Sequence, residues 1–205
     1  MTDVTSGGRT EFTGVLFEQW VAKTANYLEA EFGRELQLHV DLRAHWLWPV
    51  LVAAIDELEG TLVPRELADV HLSTDPEVDS ELPVLLVHDH PMALPFREPL
   101  PALHHDFFLE VRGGGDVRSA GPTHTLPLID DGQRTWTAAE LQAIAPTIAR
   151  DARVAIIATS SPLVGAADIA ALSVHPWALD ASIVIARDLN AVAGERCTAE
   201  LRIGR

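Results

Sequence analysis

Residues Trp136–Leu189 read WTAAELQAIAPTIARDARVAIIATSSPLVGAADIAALSVHPWALDASIVIARDL, and residues Trp20–Leu67 read WVAKTANYLEAEFGRELQLHVDLRAHWLWPVLVAAIDELEGTLVPREL. Both run helix, strand, helix, strand. In the later copy Thr137 followed by Glu140 is a capping box, and the helix it opens is expected to end near Arg150. The unbroken apolar run Val154–Ala158 predicts a fully buried strand, Ala166–Leu179 a helix with a kink at Pro176, and Ser182–Ala186 a second buried strand. In the earlier copy Phe17, Trp20, Val21, Thr24, Leu28 and Phe32 recur at helical spacing, and Gly33 stops the helix. Leu36, Leu38, Val40 and Leu42 share one face of a strand over Glu35–Asp41. Ala44–Leu58 predicts a helix buried on much of its surface and ended by Gly60; Thr61–Val63 is a short strand cut by Pro64. The copies close on Arg65-Glu66-Leu67 and Arg187-Asp188-Leu189. Strands alternating with helices imply a mainly parallel sheet, right-handed crossovers and helices on the sheet faces. The expected fold class is a layered α/β/α structure built from two related units.

Outside the repeats the pattern is less regular. Residues 1–9, with Ser6, Gly7 and Gly8, read as a flexible tail, and Arg9–Leu16 as a short edge strand. Residues 10–205 are expected to form one α/β domain, with one lobe over about 10–112 and another over about 113–205. Ala68–Ser73, Leu82–His88 and Phe107–Val111 are strand-like. The prolines at 91, 95, 99 and 101 mark a turn-rich loop, Gly113–Gly115 a turn or bulge, and Pro122–Gln133 a loop with room for one short strand. Asn190–Leu201 is expected to be a last helix.

Composition bounds the partners. The 205 residues are 47% hydrophobic, enough for a sizeable core. The net charge of −15 excludes nucleic acid as the expected partner, because phosphate binding needs clustered Lys and Arg. No apolar run reaches the ~20 residues of a membrane span, so no membrane partner is expected. The opening MTDVTSGGRTEF lacks a basic patch and an apolar stretch, which argues against a signal peptide and for the cytoplasm. The single cysteine, Cys197, excludes an internal disulfide, suits a reducing compartment and reads as an inert thiol in the last helix.

Two stretches resemble one family. Arg9–Thr13 followed by Trp20–Leu28 is similar to the opening of adenylate-forming enzymes (acyl-CoA synthetases, luciferases, peptide-synthetase adenylation domains), where a short strand precedes a helix. Leu36–Asp41, Trp46–Leu58 and Gly60–Val63 resemble the strand, helix and strand that follow, and Trp136–Leu201 resembles the later helix-strand-helix-strand segment. The chain is thus identified as resembling a reduced N-terminal part of these AMP-binding enzymes, within a short bacterial family. The resemblance implies ATP or AMP as a possible ligand. Its departures matter more. Such enzymes hold ATP phosphates with a Ser/Thr/Gly-rich loop ending in Pro-Lys-Gly. The nearest stretch here is Ala158-Thr159-Ser160-Ser161-Pro162-Leu163-Val164-Gly165, with one glycine and no lysine. The lid domain that carries a further catalytic lysine is not expected, and the sole lysine, Lys23, lies on the first helix and matches neither role. No catalytic residue carries over.

Three function classes remain. The first, preferred, is a non-catalytic adenylate-forming-like module, a pseudoenzyme, acting through another protein or as a homodimer. Trp46, Trp48 and Trp177 are its candidates for an exposed patch, against the alternative that these tryptophans are core anchors. The second is residual binding of a nucleotide or an acyl or aryl carboxylate at Thr159, Ser160, Ser161 and Gly165, where a strand leads into a helix N-terminus. The alternative there is a plain helix cap by Ser160 or Ser161. The third is a metal-dependent hydrolase on His88, His90, His104 and His105, against the alternative of solvated loop histidines. No cofactor is required by any residue present.

Overall fold

The computed structural model describes residues 1–5, 8–90, 93–118, 125–145, 149, 151–158, 166–173 and 181–203. The chain opens with strands β1 (Thr2–Asp3) and β2 (Thr10–Glu11), then helix α1 (Gly14–Phe32). The Thr13 hydroxyl accepts the Leu16 N–H and caps α1, and Gly33 ends it at φ 85°. Strand β3 (Gln37–Asp41), helix α2 (Leu47–Glu57) and strand β4 (Thr61–Leu62) follow as one crossover unit. Next come β5 (Val70–Ser73), β6 (Val84–Leu86), β7 (His104–Asp106), α3 (Phe107–Arg112), β8 (Pro127–Asp130) and β9 (Thr135–Thr137). The second crossover unit is α4 (Ala138–Ile144), β10 (Arg153–Ala158), α5 (Ala166–Ser173) and β11 (Ser182–Ala186); β12 (Ala199–Ile203) ends the described chain.

Two sheets result. The smaller has the order β12-β10-β11-β1-β2 and the larger β7-β6-β5-β3-β4-β8-β9. All pairings are parallel except β1 with β2 and β8 with β9. In each crossover unit the two strands are neighbours: β3 beside β4, and β10 beside β11. Their connecting helices, α2 and α5, pack on each other, so the two repeats meet helix to helix. A single apolar cluster runs from Leu38 and Leu72 of the larger sheet through Leu51 and Ile55 of α2 and Ile169 of α5 to Ile156 and Ile185 of the smaller. Full burial of each such Leu or Ile contributes about 2 kcal/mol. A second cluster, Ala155, Ile157, Val184, Ala186 and Val192, lies on the other face of β10 and β11. That double burial is why these strands read as unbroken apolar runs.

The layered α/β architecture and both helix-strand-helix-strand units stand as expected, and Thr137 and Glu140 form the capping box. Six readings change. The opening residues are not a tail: Thr2 and Asp3 are buried and pair with β11, because their main chain completes that sheet. Arg9–Leu16 is a two-residue strand and then the start of α1, capped by Thr13. Phe107–Val111 is helical, since the Asp106 carboxylate accepts the Leu109 N–H and caps a turn that buries Phe107, Phe108 and Val111. The first helix of the second unit stops at Ile144, short of Arg150. Asn190–Leu201 is a short 3-10 turn followed by β12, because pairing with β10 outweighs the helical propensity of Ala199-Glu200-Leu201-Arg202. The boundary expected near residue 112 does not divide the sheets either: β8 and β9 belong to the larger sheet, and β1 and β2 to the smaller. Among the described residues no helix is long and apolar enough to cross a membrane.

Candidate functional site

Parallel strands deliver their following loops to one edge, which is where open α/β sheets place ligands. Four such loops line one cleft of about 380 Å³. Arg43, Ala44 and His45 follow β3, Thr74, Asp75 and Pro76 follow β5, Asp89 follows β6, and Arg187 follows β11. The cleft therefore takes residues from both sheets.

Local bonds fix its floor. Asp3 of β1 is buried; its Oδ2 accepts the Trp46 N–H at 2.6 Å and its Oδ1 accepts the Thr5 N–H and hydroxyl at 2.7 Å each. The Trp48 indole N–H donates to the Arg43 carbonyl at 3.1 Å and holds the turn into α2. The His45 Nδ1 accepts the Leu47 N–H at 3.1 Å, and its ring lies against Trp46, 5.2 Å between centroids. Burial pushes the His45 imidazole below its usual value; Asp3 and Asp89 oppose that shift and Arg187 adds to it. The neutral ring with a lone pair on Nδ1 carries its proton on Nε2, and that atom is buried without a partner. At the rim Arg187 Nη2 donates to Asp89 Oδ2 at 3.2 Å. The Asp75 carboxylate accepts the Glu77 N–H at 2.9 Å.

A second, apolar pocket of about 290 Å³ is lined by Leu38, Val40, Leu62, Ile129, Trp48 and Ile169, with Arg65 among its polar lining residues. Arg65 and Arg187 are the arginines of the two near-copies noted in the sequence. Each follows the second strand of a crossover unit, and each lines one cavity. That repeated Arg-acid-Leu is the sequence signal for both sites. His45 and Asp89 carried no signal of their own.

The residues expected to bind a ligand, Thr159, Ser160, Ser161 and Gly165, lie outside the described residues, as does Trp177. Trp46 and Trp48 do not form an exposed patch. Both are buried, Trp46 against Phe12, Trp20 and Phe108, so the anchor reading holds for them. The four histidines do not converge. β6 ends at Leu86, and His88 and His90 lie in a tight turn beyond it, closed by His90 N–H to the His88 carbonyl at 2.7 Å. His88 and His104 each engage Nδ1 with a nearby carbonyl, of Leu94 and Ala102. His104 and His105 are consecutive on β7 and face opposite ways. Among the described residues no three His, Cys, Asp or Glu are grouped to hold a metal. Cys197 is half-buried before β12, and burial pushes its thiol up, away from the reactive thiolate.

The likeness to solved structures is extensive. The acyl-CoA synthetase of Brucella canis superposes with a TM-score of 0.75 at 12% identity, covering 98% of this chain and 44% of that one. The fold is that of the N-terminal part of adenylate-forming enzymes. The N-terminal domain of FACL13 from Mycobacterium tuberculosis gives 0.68 at 11% identity over 97% of this chain and 57% of that one. The N-terminal subdomain of NpsA from Klebsiella oxytoca gives 0.60 at 11% over 92% and 54%. The chain thus spans about half the length of these adenylate-forming relatives. No family model matches it, and no curated protein does.

Proposed function

We propose that this chain is a non-catalytic module of the adenylate-forming fold that works by association with a second copy of itself. The observation that carries the first half is the place of its only lysine. Lys23 Nζ donates to the carbonyls of Arg112 and Gly114 at 3.3 and 2.9 Å and pairs with Asp116 at 2.5 Å. It ties α1 to the end of α3, where a cation suits the helix C-terminus. No other lysine exists in the sequence to meet a nucleotide phosphate.

The second half is supported by β12. It pairs with β10 on one side and with no described strand on the other. Glu200 and Arg202 share its exposed face and form an ion pair at 2.7 Å. In an antiparallel pair of two copies centred on Leu201, Glu200 of one strand faces Arg202 of the other. Self-complementarity of this kind is what a two-fold interface requires. On this reading the module is cytoplasmic, as its single cysteine suits a reducing compartment.

Sedimentation velocity on the purified chain, together with carboxylate-dependent ATP–pyrophosphate exchange, tests both halves. The expected result is a concentration-dependent dimer without exchange. Glu200→Arg weakens the dimer, and the swap Glu200→Arg with Arg202→Glu restores it. Exchange above the enzyme-free blank would overturn the non-catalytic reading, and a monomer at every concentration would overturn self-association.

A second reading has one favouring observation. The register Ile157 with Ala186 brings the end of β10, at Ala158, beside Arg187 on the edge that carries the polar cleft. Binding of a nucleotide or of an acyl or aryl carboxylate there is read by calorimetric titration with AMP and Mg-ATP. No saturation by roughly millimolar nucleotide removes it.

A further inference from the structure

The polar cleft between the two sheets is lined by two guanidinium groups, Arg43 and Arg187, and two carboxylates, Asp75 and Asp89. The Asp89 carboxylate is engaged by Arg187, and the Asp75 carboxylate by its own turn. Arg187 spends one Nη2 contact and donates its remaining N–H groups to no described residue. The exposed Arg43 guanidinium forms no ion pair with any described residue. At the floor the His45 Nε2–H is a buried donor without an acceptor. An orphaned buried donor costs about 1–3 kcal/mol, a cost that a bound acceptor removes. Ala44 adds only a methyl to the lining, and the volume of about 380 Å³ accommodates a small molecule.

We propose that this cleft binds a small oxyanion, or the oxyanion end of a larger metabolite, between the Arg43 and Arg187 guanidinium groups, with His45 Nε2–H donating to it from below. Two guanidinium forks and one fixed N–H match the planar acceptors of a carboxylate and the oxygens of a phosphate alike. Because β3, β5 and β6 of the larger sheet and β11 of the smaller all reach this point, occupancy tightens the junction between the sheets. The proposal deepens the second reading above, whose ligand it places among described residues of this cleft, and it stands apart from the β12 edge.

The test is calorimetric titration of the full chain with inorganic phosphate and, separately, with malonate, at constant ionic strength set by chloride. Saturable binding of either anion is expected. Arg43→Gln or Arg187→Gln, exposed positions whose loss leaves the core intact, should weaken it at least about tenfold, near 1.4 kcal/mol. Binding of phosphate alone assigns the ligand to phosphate esters, and of malonate alone to carboxylates. Histidine-selective two-bond proton–nitrogen spectra supply a readout that needs no variant: the His45 Nε2 resonance should be protonated in the free protein and move on titration. Absence of saturation for both anions to roughly 20 mM, or equal affinity in both variants, or a His45 signal unmoved at saturation, would overturn the proposal.

Discussion

The Asp3 carboxylate accepts the Trp46 backbone N–H at 2.6 Å, and so ties the first strand of the smaller sheet to the turn that opens α2 of the larger sheet's unit. The same carboxylate holds the Thr5 N–H and hydroxyl. It is the bond that sets the floor of the polar cleft, because Trp46 is the neighbour of His45. Asp3→Ala leaves three donors unpaired in a buried position. A loss of about 3 kcal/mol is expected, with a smaller loss for Asp3→Asn, which keeps one acceptor oxygen. Urea unfolding monitored by tryptophan fluorescence measures both; equal stability of Asp3→Ala and the parent would show that the junction is held by apolar packing alone.

Gly60 is required by space rather than by a left-handed backbone. A Cβ there would lie 2.6 Å from the Leu36 carbonyl oxygen, which is backbone that cannot swing away. Gly60→Ala should cost about 2 kcal/mol or more through displacement of α2 from β3. Gly14, first residue of α1, has nothing within 4 Å of the same position. Gly14→Ala should leave stability unchanged or raise it by up to about 1 kcal/mol. Thermal melts of the two variants side by side read the contrast.

His71 predicts a pH dependence. It is buried on β5 with both ring nitrogens unpartnered, 4.9 Å from the His39 ring. Burial, then the His39 and Arg65 charges, push it from 6.5 down to about 4. The folded value lies below the unfolded one, so the unfolded chain takes up the proton first. The stability is complete above about pH 6.5 and is lost as pH falls toward 4, at up to about 1.4 kcal/mol per pH unit. His71→Leu should flatten stability across that window and match or exceed the parent at pH 7. A slope unchanged by the substitution would move the effect to another group.

Lys23 acts as a strut. Its ion pair with Asp116 is exposed enough for solvent to screen, so the pair itself counts for little. Its bonds to the Arg112 and Gly114 carbonyls hold α3 against α1, where Gly114 itself comes within 2.8 Å of the Lys23 carbonyl at its would-be Cβ. Lys23→Met should lower stability by about 1 kcal/mol. Differential scanning calorimetry measures it, and high salt should change the parent only slightly.

The alternation of helices and strands was legible in the residues because its causes are local. Val154–Ala158 and Ile183–Ala186 are apolar throughout since both of their faces are covered, and Thr137 with Glu140 forms its capping box within one turn. Even the repeated Arg-acid-Leu at positions 65 and 187 marks two cavities. What stayed hidden depends on partners far along the chain. Thr2 and Asp3 are a strand only because β11 lies beside them, and Ala199–Ile203 is a strand only because β10 does. His45, Asp89 and Arg187 carry no shared spacing; three strand ends bring them to one edge. Periodicity reports which face of an element is buried, and so it reached the fold class. A cleft is made where elements distant in sequence converge, and only their packing decides that.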